Sequence, residues 1–395
     1  MCDVPALRFP EFIKSWECSI LEKLSKKIGD GIHSTPSYDD NGTFYFINGN
    51  NLNGGKIVIT SSTKRVSEKE AYKNNAENLE ANSILMSING TIGNVALYHN
   101  EPIMLGKSAC YINSKDNIDK NYLFYYLQYP KTQLYFEAEL TGTTIKNLSL
   151  QSIRKTKIYI PTIEEQHKIS RFLQKIDERI STQNKIIEKL QSLIKGLVDE
   201  LMTVLLKGKL YPFSSFYIKA GEGGTPTTSV VEYYTEGTIP FIKIEDLSCK
   251  YLTNNKDFIT ELGMQKSSAW LIPSKSVIYS NGATIGAISI NEYPVCTKQG
   301  ILGIVPNTNI NVEYLYLLMS SSYFSKEISR IITEGTMKTA YLKDINHIKC
   351  PLPSMAQQKN ITNLTSSIEE KLSIEQELLR FLNLQKQYLL HMIFI

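Results

Sequence analysis

The residue types that most often carry chemistry are scattered along this chain without the spacing that chemistry requires. His33, His99, His167, His347 and His391 include no pair four apart and no H-E-x-x-H run, so no zinc-hydrolase site is spelled out. Cys2, Cys18, Cys110, Cys249, Cys296 and Cys350 form no C-x-x-C pair, which argues against a structural zinc, a redox pair or a disulfide framework. Gly106-Lys107-Ser108 has the ending of a phosphate-binding loop, but Glu101 stands where the first glycine of that loop belongs. The acid pairs Asp39-Asp40 and Glu164-Glu165 read as a loop and as a helix first turn, where negative charge suits the helix dipole. No catalytic residue, resident cofactor or metal site is expected.

Composition bounds the class without naming a partner. The 395 residues are 42% hydrophobic and 21% charged, the profile of a globular chain of more than one domain. No apolar run is long enough to span a bilayer. The opening residues from Met1 to Pro10 lack a charged-then-apolar leader pattern, so a cytoplasmic address is expected. Net charge is only +4. It is also evenly spread: residues 16–160 carry 16 basic against 14 acidic side chains, and residues 208–353 carry 13 against 12. A surface for a polyanion must then come from placement of charge, not from its total.

The elements that would position any site are written twice. Ile84-Leu-Met-Ser-Ile-Asn-Gly-Thr-Ile-Gly-Asn-Val-Ala-Leu97 matches Val277-Ile-Tyr-Ser-Asn-Gly-Ala-Thr-Ile-Gly-Ala-Ile-Ser-Ile290, each a strand, a glycine turn and a strand. Lys27-Ile-Gly-Asp-Gly31 matches Lys219-Ala-Gly-Glu-Gly223, and Gly42-Thr-Phe-Tyr-Phe-Ile47 with Leu52 matches Gly237-Thr-Ile-Pro-Phe-Ile242 with Leu247. Asn121-Tyr-Leu-Phe-Tyr-Tyr-Leu127 matches Glu313-Tyr-Leu-Tyr-Leu-Leu-Met319. The halves also end alike, Ile158-Tyr-Ile-Pro161 before Glu165-Gln166 and Cys350-Pro-Leu-Pro353 before Gln357-Gln358. The offset stays between 192 and 195 throughout, so each half is one mixed domain followed by one long helix.

After Pro161 the period changes to that of a helix. Ile169, Leu173, Ile176, Ile180, Gln183, Ile187, Leu190, Ile194, Leu197, Leu201 and Val204 form a heptad seam, interrupted once by Gln183. The second half carries a weaker seam in the same register: Ile361, Thr365, Ile368, Leu372, Glu375, Leu379, Leu382, Lys386, Leu389 and Ile393. Two such helices of about 40 residues, roughly 60 Å long at ~1.5 Å per residue, bury their seams most simply against each other. Pairing of repeats within one chain favours an antiparallel pair with approximate two-fold symmetry. Gln183 and Glu375 either fix the register of that pair or are tolerated imperfections.

At this point the chain resembles the specificity subunits of type I restriction-modification enzymes. The resemblance is carried by Leu7-Arg-Phe-Pro-Glu-Phe12 with Trp16, by Gly223-Gly-Thr-Pro226, and by the doubled turns Thr91-Ile-Gly93 and Thr284-Ile-Gly286. The proline-to-glutamine junctions and the long helix after each complete it. It implies an α+β fold of two homologous mixed recognition domains separated by two long helices in an antiparallel coiled coil. The division expected is an N-terminal segment at 1–15, recognition domains at 16–163 and 208–355, and helices at 164–207 and 356–395. It further implies a non-catalytic subunit that binds double-stranded DNA, each domain reading half of a bipartite site. The helices would set the spacer and dock two methyltransferase subunits, which bind S-adenosylmethionine and methylate adenine; two motor-nuclease subunits complete the restriction enzyme. The alternative is a targeting subunit of another multi-subunit DNA modification or phage-defence system. A self-sufficient adenine methyltransferase is excluded, since the chain contains no Pro-Pro and no glycine-rich cofactor loop after a strand.

Readout of DNA needs donors and acceptors on loops that reach base edges, beside cations for phosphates. A shared scaffold must vary where it reads, so the candidates are the loops in which the halves differ. In the first half these are His33, Ser34, Tyr38, Asn48, Asn50, Asn51, Asn53, Lys64, Arg65 and Lys107. In the second they are Thr225, Thr227, Tyr233, Tyr234, Lys243, Glu245, Asp246, Lys298 and Gln299. Lys107 aligns with Gln299, so the two halves are expected to read different bases.

Overall fold

A computed structural model of the chain describes residues 4–74, 76–142, 146–282, 284–332 and 338–395; Met1, Cys2 and Ala283, named above, lie outside them. Contacts divide the chain into two units, residues 1–184 with 377–395 and residues 185–376. Each therefore holds one mixed domain together with segments of both long helices, Ile163–Leu205 and Met355–Ile393. Among the described residues no helix is long and apolar enough to cross a membrane.

In the first unit a four-stranded antiparallel sheet runs in the order Ser25–Asp30, Ala109–Ser114, Ser83–Ser87, Val95–Leu97. A three-stranded sheet places Phe44–Ile47 between Arg65–Val66 and Ile103–Leu105. Glu17–Ile20 pairs with Lys157–Ile160 and closes the domain next to the first long helix. The second unit repeats this plan with Tyr217–Glu222, Ile301–Pro306, Val277–Ser280 and Ile288–Asn291, to which Tyr251–Leu252 adds a parallel fifth strand. Its smaller sheet places Ile239–Ile242 between Asp257–Ile259 and Cys296–Thr297, and Leu210–Pro212 pairs with Lys349–Pro351.

The duplication extends to strand register, which a one-residue slip would destroy by turning every side chain to the other face. Tyr111 faces Gly29 on one side and Leu85 on the other, while Gly303 faces Gly221 and Ile278. In the small sheets Phe46 faces Met104 and Phe241 faces Cys296, both across parallel pairs. Every one of these positions obeys the offset read from the sequence.

One buried glutamine per repeat ties domain to helix. Gln166 is buried; its Oε1 accepts from the Asp119 N–H and its Nε2 donates to the Pro161 carbonyl, each at 3.0 Å. Gln358 does the same with the Asn311 N–H at 2.7 Å and the Pro353 carbonyl at 2.9 Å, and it also donates to the Asn309 carbonyl at 3.0 Å. Asp119 and Asn311 in turn cap Lys120–Leu127 and Val312–Ser320, accepting from the Tyr122 and Tyr314 N–H groups. The hydroxyls of those tyrosines donate to the Tyr159 and Pro351 carbonyls, both at 2.6 Å. The glutamine recognised in sequence as half of a repeated junction is thus the clamp of that junction.

The helix pairing is antiparallel within each unit. In the first, Ile169, Leu173 and Ile176 at the start of one helix share a core with Leu389, Leu390 and Ile393 at the end of the other. In the second, Val198 and Met202 near the end of the first helix share a core with Ile361 at the start of the second. The expected seam of the second helix coincides with its least exposed positions. That of the first holds to Ile194 and then shifts by one residue: Val198 and Met202 are buried, whereas Val204 is 62% exposed. A straight helix drifts ~20° per heptad against a 3.5-residue repeat, and the shift is that drift accumulated.

The N-terminal segment adds what the second half lacks. Glu165 has no exposed surface; both its oxygens take the Arg8 guanidinium at 2.8 Å, and the Trp16 indole N–H donates to it at 3.3 Å. Glu164 remains a first-turn carboxylate, held below its ordinary value by the free N–H groups there. The Glu165 counterpart, Gln357, is exposed and caps Ser354 instead.

Two outcomes follow for stability. Gln166→Ala strands one N–H and one carbonyl and Gln358→Ala one N–H and two carbonyls, all at least part-buried, and each should cost about 1–3 kcal/mol per stranded group in urea unfolding. A loss at one junction and none at the other would break their equivalence. Arg8→Ala should cost about 3–5 kcal/mol because it leaves a buried carboxylate unpaired, whereas Arg8→Met with Glu165→Met should recover most of that loss.

Candidate nucleic-acid interface

The smaller sheet of each unit brings the candidate loops to one edge. Phe44–Ile47 and Ile103–Leu105 are parallel neighbours, so the loops that follow them, at Asn48 and at Gly106, leave from the same end. Lys64 reaches that end because its carbonyl accepts from the Phe46 N–H. His33 and Ser34 join it because the Ile32 N–H donates to the Leu105 carbonyl. Gly31 makes that approach possible, since a Cβ there would lie 2.1 Å from the Leu105 carbonyl oxygen; at Gly223 the clash would be 2.0 Å from that of Thr297.

At this edge the side chains fall into two groups. Lys107, Lys64, Asn50 and Ser34 are exposed. His33 is exposed with Nε2 2.8 Å from an Asp30 oxygen. Asn48 and Asn51 turn inward: Asn51 Oδ1 accepts from the Asn48 N–H, and Asn48 Oδ1 accepts from the Ser108 hydroxyl. They shape the loop, as Asx side chains do in tight turns. Asn53 lies apart, paired with Lys56 in a short hairpin. Tyr38, 46% exposed, packs edge-on against Phe46, with the Lys64 ammonium 5.9 Å from its ring centre. Arg65 lies over the Tyr45 ring at 4.9 Å and donates to its hydroxyl at 3.2 Å.

The second unit gathers Thr225, Lys243, Lys298 and Gln299 in the same way. Ile242 and Thr297 are parallel partners, the Lys298 N–H donates to the Ile242 carbonyl, and the Gln299 N–H donates to Thr225 Oγ1 at 3.3 Å. Asp246 accepts from the Lys243 N–H at 2.8 Å, the counterpart of the Asn51 contact, and so shapes its turn. Lys243 is paired with Asp257 at 2.8 Å, and that carboxylate holds its pKa above the ordinary value. Glu245, Lys298, Gln299 and Thr227 are exposed. Tyr234 spends its hydroxyl on the Pro226 carbonyl and packs on the small core of Phe241 and Cys296. Tyr233 is half-buried, and its carbonyl accepts from the Thr260 N–H.

Sequence reasoning missed Tyr45, Asp257 and Phe258. Each matters through its cross-strand partner, and pairing between short strands left no signal in the sequence. Elsewhere the chain offers little to chemistry. Burial pushes the Cys110 thiol up to about 12 and the Cys296 thiol to about 11, far from a reactive thiolate. Among the described residues no three His, Cys, Asp or Glu side chains gather as metal ligands.

Comparison with known proteins agrees with this architecture. The family described as type I restriction modification DNA specificity domain matches residues 14–192 and again 216–383. The MjaVIII specificity subunit of a type I restriction enzyme of Methanocaldococcus jannaschii is 24% identical over 346 residues, 81% of this chain and 78% of that protein. The EcoR124I/EcoR124II specificity subunit of Escherichia coli is 27% identical over 231 residues, 52% of this chain and 55% of its own. A crystal structure of the type I S subunit from M. genitalium shares the fold with a TM-score of 0.53 at 20% identity, covering 99% of each chain. With the doubled domain, the doubled family match and the paired helices in place, the chain belongs to the specificity subunits of type I restriction-modification systems.

Proposed function

We propose that this chain is the non-catalytic, DNA-reading subunit of a type I complex, acting on double-stranded DNA in the cytoplasm. Each recognition domain, 16–163 and 208–355, reads one half of a bipartite site. The long helices, 164–207 and 356–395, set the unread spacer and dock two methyltransferase subunits that supply S-adenosylmethionine chemistry. Two motor-nuclease subunits join for cleavage. The observation that carries the reading is a framework matched in strand register, whose loops at one sheet edge differ in most of their exposed polar side chains. Lys107 beside Asn50 in one half and Gln299 beside Glu245 in the other offer different donor and acceptor patterns to base edges. Such a pair of domains is suited to two different half-sites.

The test is modular exchange. Replacing residues 16–160 by the same region of a relative, with the methyltransferase subunits co-expressed, should alter one half of the methylated motif in methylome sequencing and leave the other intact. A change in both halves would end the reading of independent domains. The chain purified alone should transfer no labelled methyl group to DNA.

The spacer role has its own test. One four-residue turn added after Asn184 and one after Gln376, equivalent points of the two helices, lengthens the pair by ~6 Å at ~1.5 Å per residue. That corresponds to one or two base pairs at ~3.4 Å each. A four-residue insertion is a stutter that unwinds the supercoil locally and keeps the seam. The modified motif should keep its half-sites and widen its gap, with reduced affinity because each added pair also rotates the far half-site. An active variant with the original gap would remove the helices from that role.

A further inference from the structure

We propose that the two recognition domains hold DNA unequally: the first carries the phosphate grip, on Lys64, Arg65 and Lys107, and the second has lost it. This rests on the DNA-reading function above. Strand register makes the comparison position by position. Phe44 faces Val66 and Tyr45 faces Arg65 in the first unit; Ile239 faces Ile259 and Pro240 faces Phe258 in the second. Arg65 therefore corresponds to Phe258, and Lys64 to Asp257.

The consequences for charge are opposite in the two halves. In the first, Arg65 lies over Tyr45 at 4.9 Å and donates to its hydroxyl, and Lys64 stands over Tyr38. Both cations are exposed, set against aromatic faces, and not paired with any carboxylate among the described residues; Lys107 is likewise exposed and without a carboxylate partner there. Preorganisation of this kind lowers the entropy lost when a guanidinium meets a phosphate. Asp39 lies beside this strand, its N–H donating to the Arg65 carbonyl, but its carboxylate accepts from the Asn41 N–H.

In the second unit the corresponding strand supplies a carboxylate, Asp257, which takes Lys243 at 2.8 Å, and an apolar ring, Phe258, 41% exposed. Asp246, which accepts from the Lys243 N–H, and the exposed Glu245 line the same edge where the first unit has Asn51 and Asn50; Glu222, which accepts from the Gly300 N–H, has its counterpart in Asp30. Lys298 is the remaining candidate cation there. An edge so supplied with carboxylates repels phosphate.

The experiment uses the full chain assembled with its methyltransferase subunits and a duplex carrying the motif mapped by methylome sequencing. Affinity is measured against salt. Lys64→Ala with Arg65→Ala should lower the log–log slope by about two units, at ~0.9 per phosphate contact. Arg65→Lys should keep the slope while weakening binding several-fold. Lys243→Ala should leave the slope unchanged, and Asp257→Asn, by releasing Lys243, should raise it by up to about one unit. An unchanged slope in the first variant, or a fall in the slope with Lys243→Ala, overturns the proposal. A wild-type complex with no preference for its motif over scrambled duplex would instead overturn the DNA-reading function itself.

Discussion

A buried glutamine at the first turn of each long helix is the contact on which the rest of the chain depends. Its amide has one acceptor and one donor end, and each junction needs both: the N–H that opens the next helix of the domain, and the carbonyl of the proline that ends the last strand. No other uncharged side chain of that length can serve two backbone groups of opposite polarity in one buried place. The tyrosine hydroxyl that binds the last strand from the other side completes a closed set of hydrogen bonds. Domain and helix segment are thereby joined within each unit. A domain on a scaffold of this kind inherits its position from the helix, which the proposed spacing role requires.

From the junction outwards the two repeats spend their freedom differently. Framework positions keep the same chemistry because a backbone contact demands it, as at Gly31 and Gly223, where no Cβ fits. Edge positions carry no such demand, so Arg65 over Tyr45 in one half can become Phe258 beside Pro240 in the other without disturbing register. The anchoring of the helix varies too while its position is kept. Asp177 accepts from Tyr125 and pairs with Lys386, and its counterpart Glu369 pairs with Lys250.

Much of this was legible in the sequence because duplication is an internal control. A repeated Gly-x-Gly or Pro-to-Gln junction names a position under constraint even without relatives, and both proved to be backbone contacts. The second helix seam was read correctly through Thr365 and Lys386, since spacing survives a polar residue. The end of the first seam was not, because a strict heptad cannot carry the slow drift of a 3.6-residue helix. Within the candidate edge Lys64, Arg65, Lys107, Lys298 and Gln299 are exposed, as a contact role would require. Asn48, Asn51 and Asp246 were chosen for polarity, but that polarity is turned on their own loops. Polar loop residues serve the loop or the ligand, and only coordinates show which.

The near-neutral charge of the chain finds a physical place in this division. A strongly basic protein would hold any duplex by counterion release and search poorly among wrong sites, since that attraction carries no sequence information. On the proposal above, confining exposed cations with no carboxylate partner to one edge of one unit, while the other edge adds Asp257, Asp246 and Glu245, would keep the sequence-independent attraction small. Carboxylates that repel phosphate can still accept from the amino groups of bases in the major groove. Under the proposed function, recognition at the second edge would then depend on matching bases rather than on backbone charge. For the proposed DNA-reading role, weak general affinity would sharpen the choice: the wrong duplex is released quickly, and the right one is held by contacts that only its bases complete.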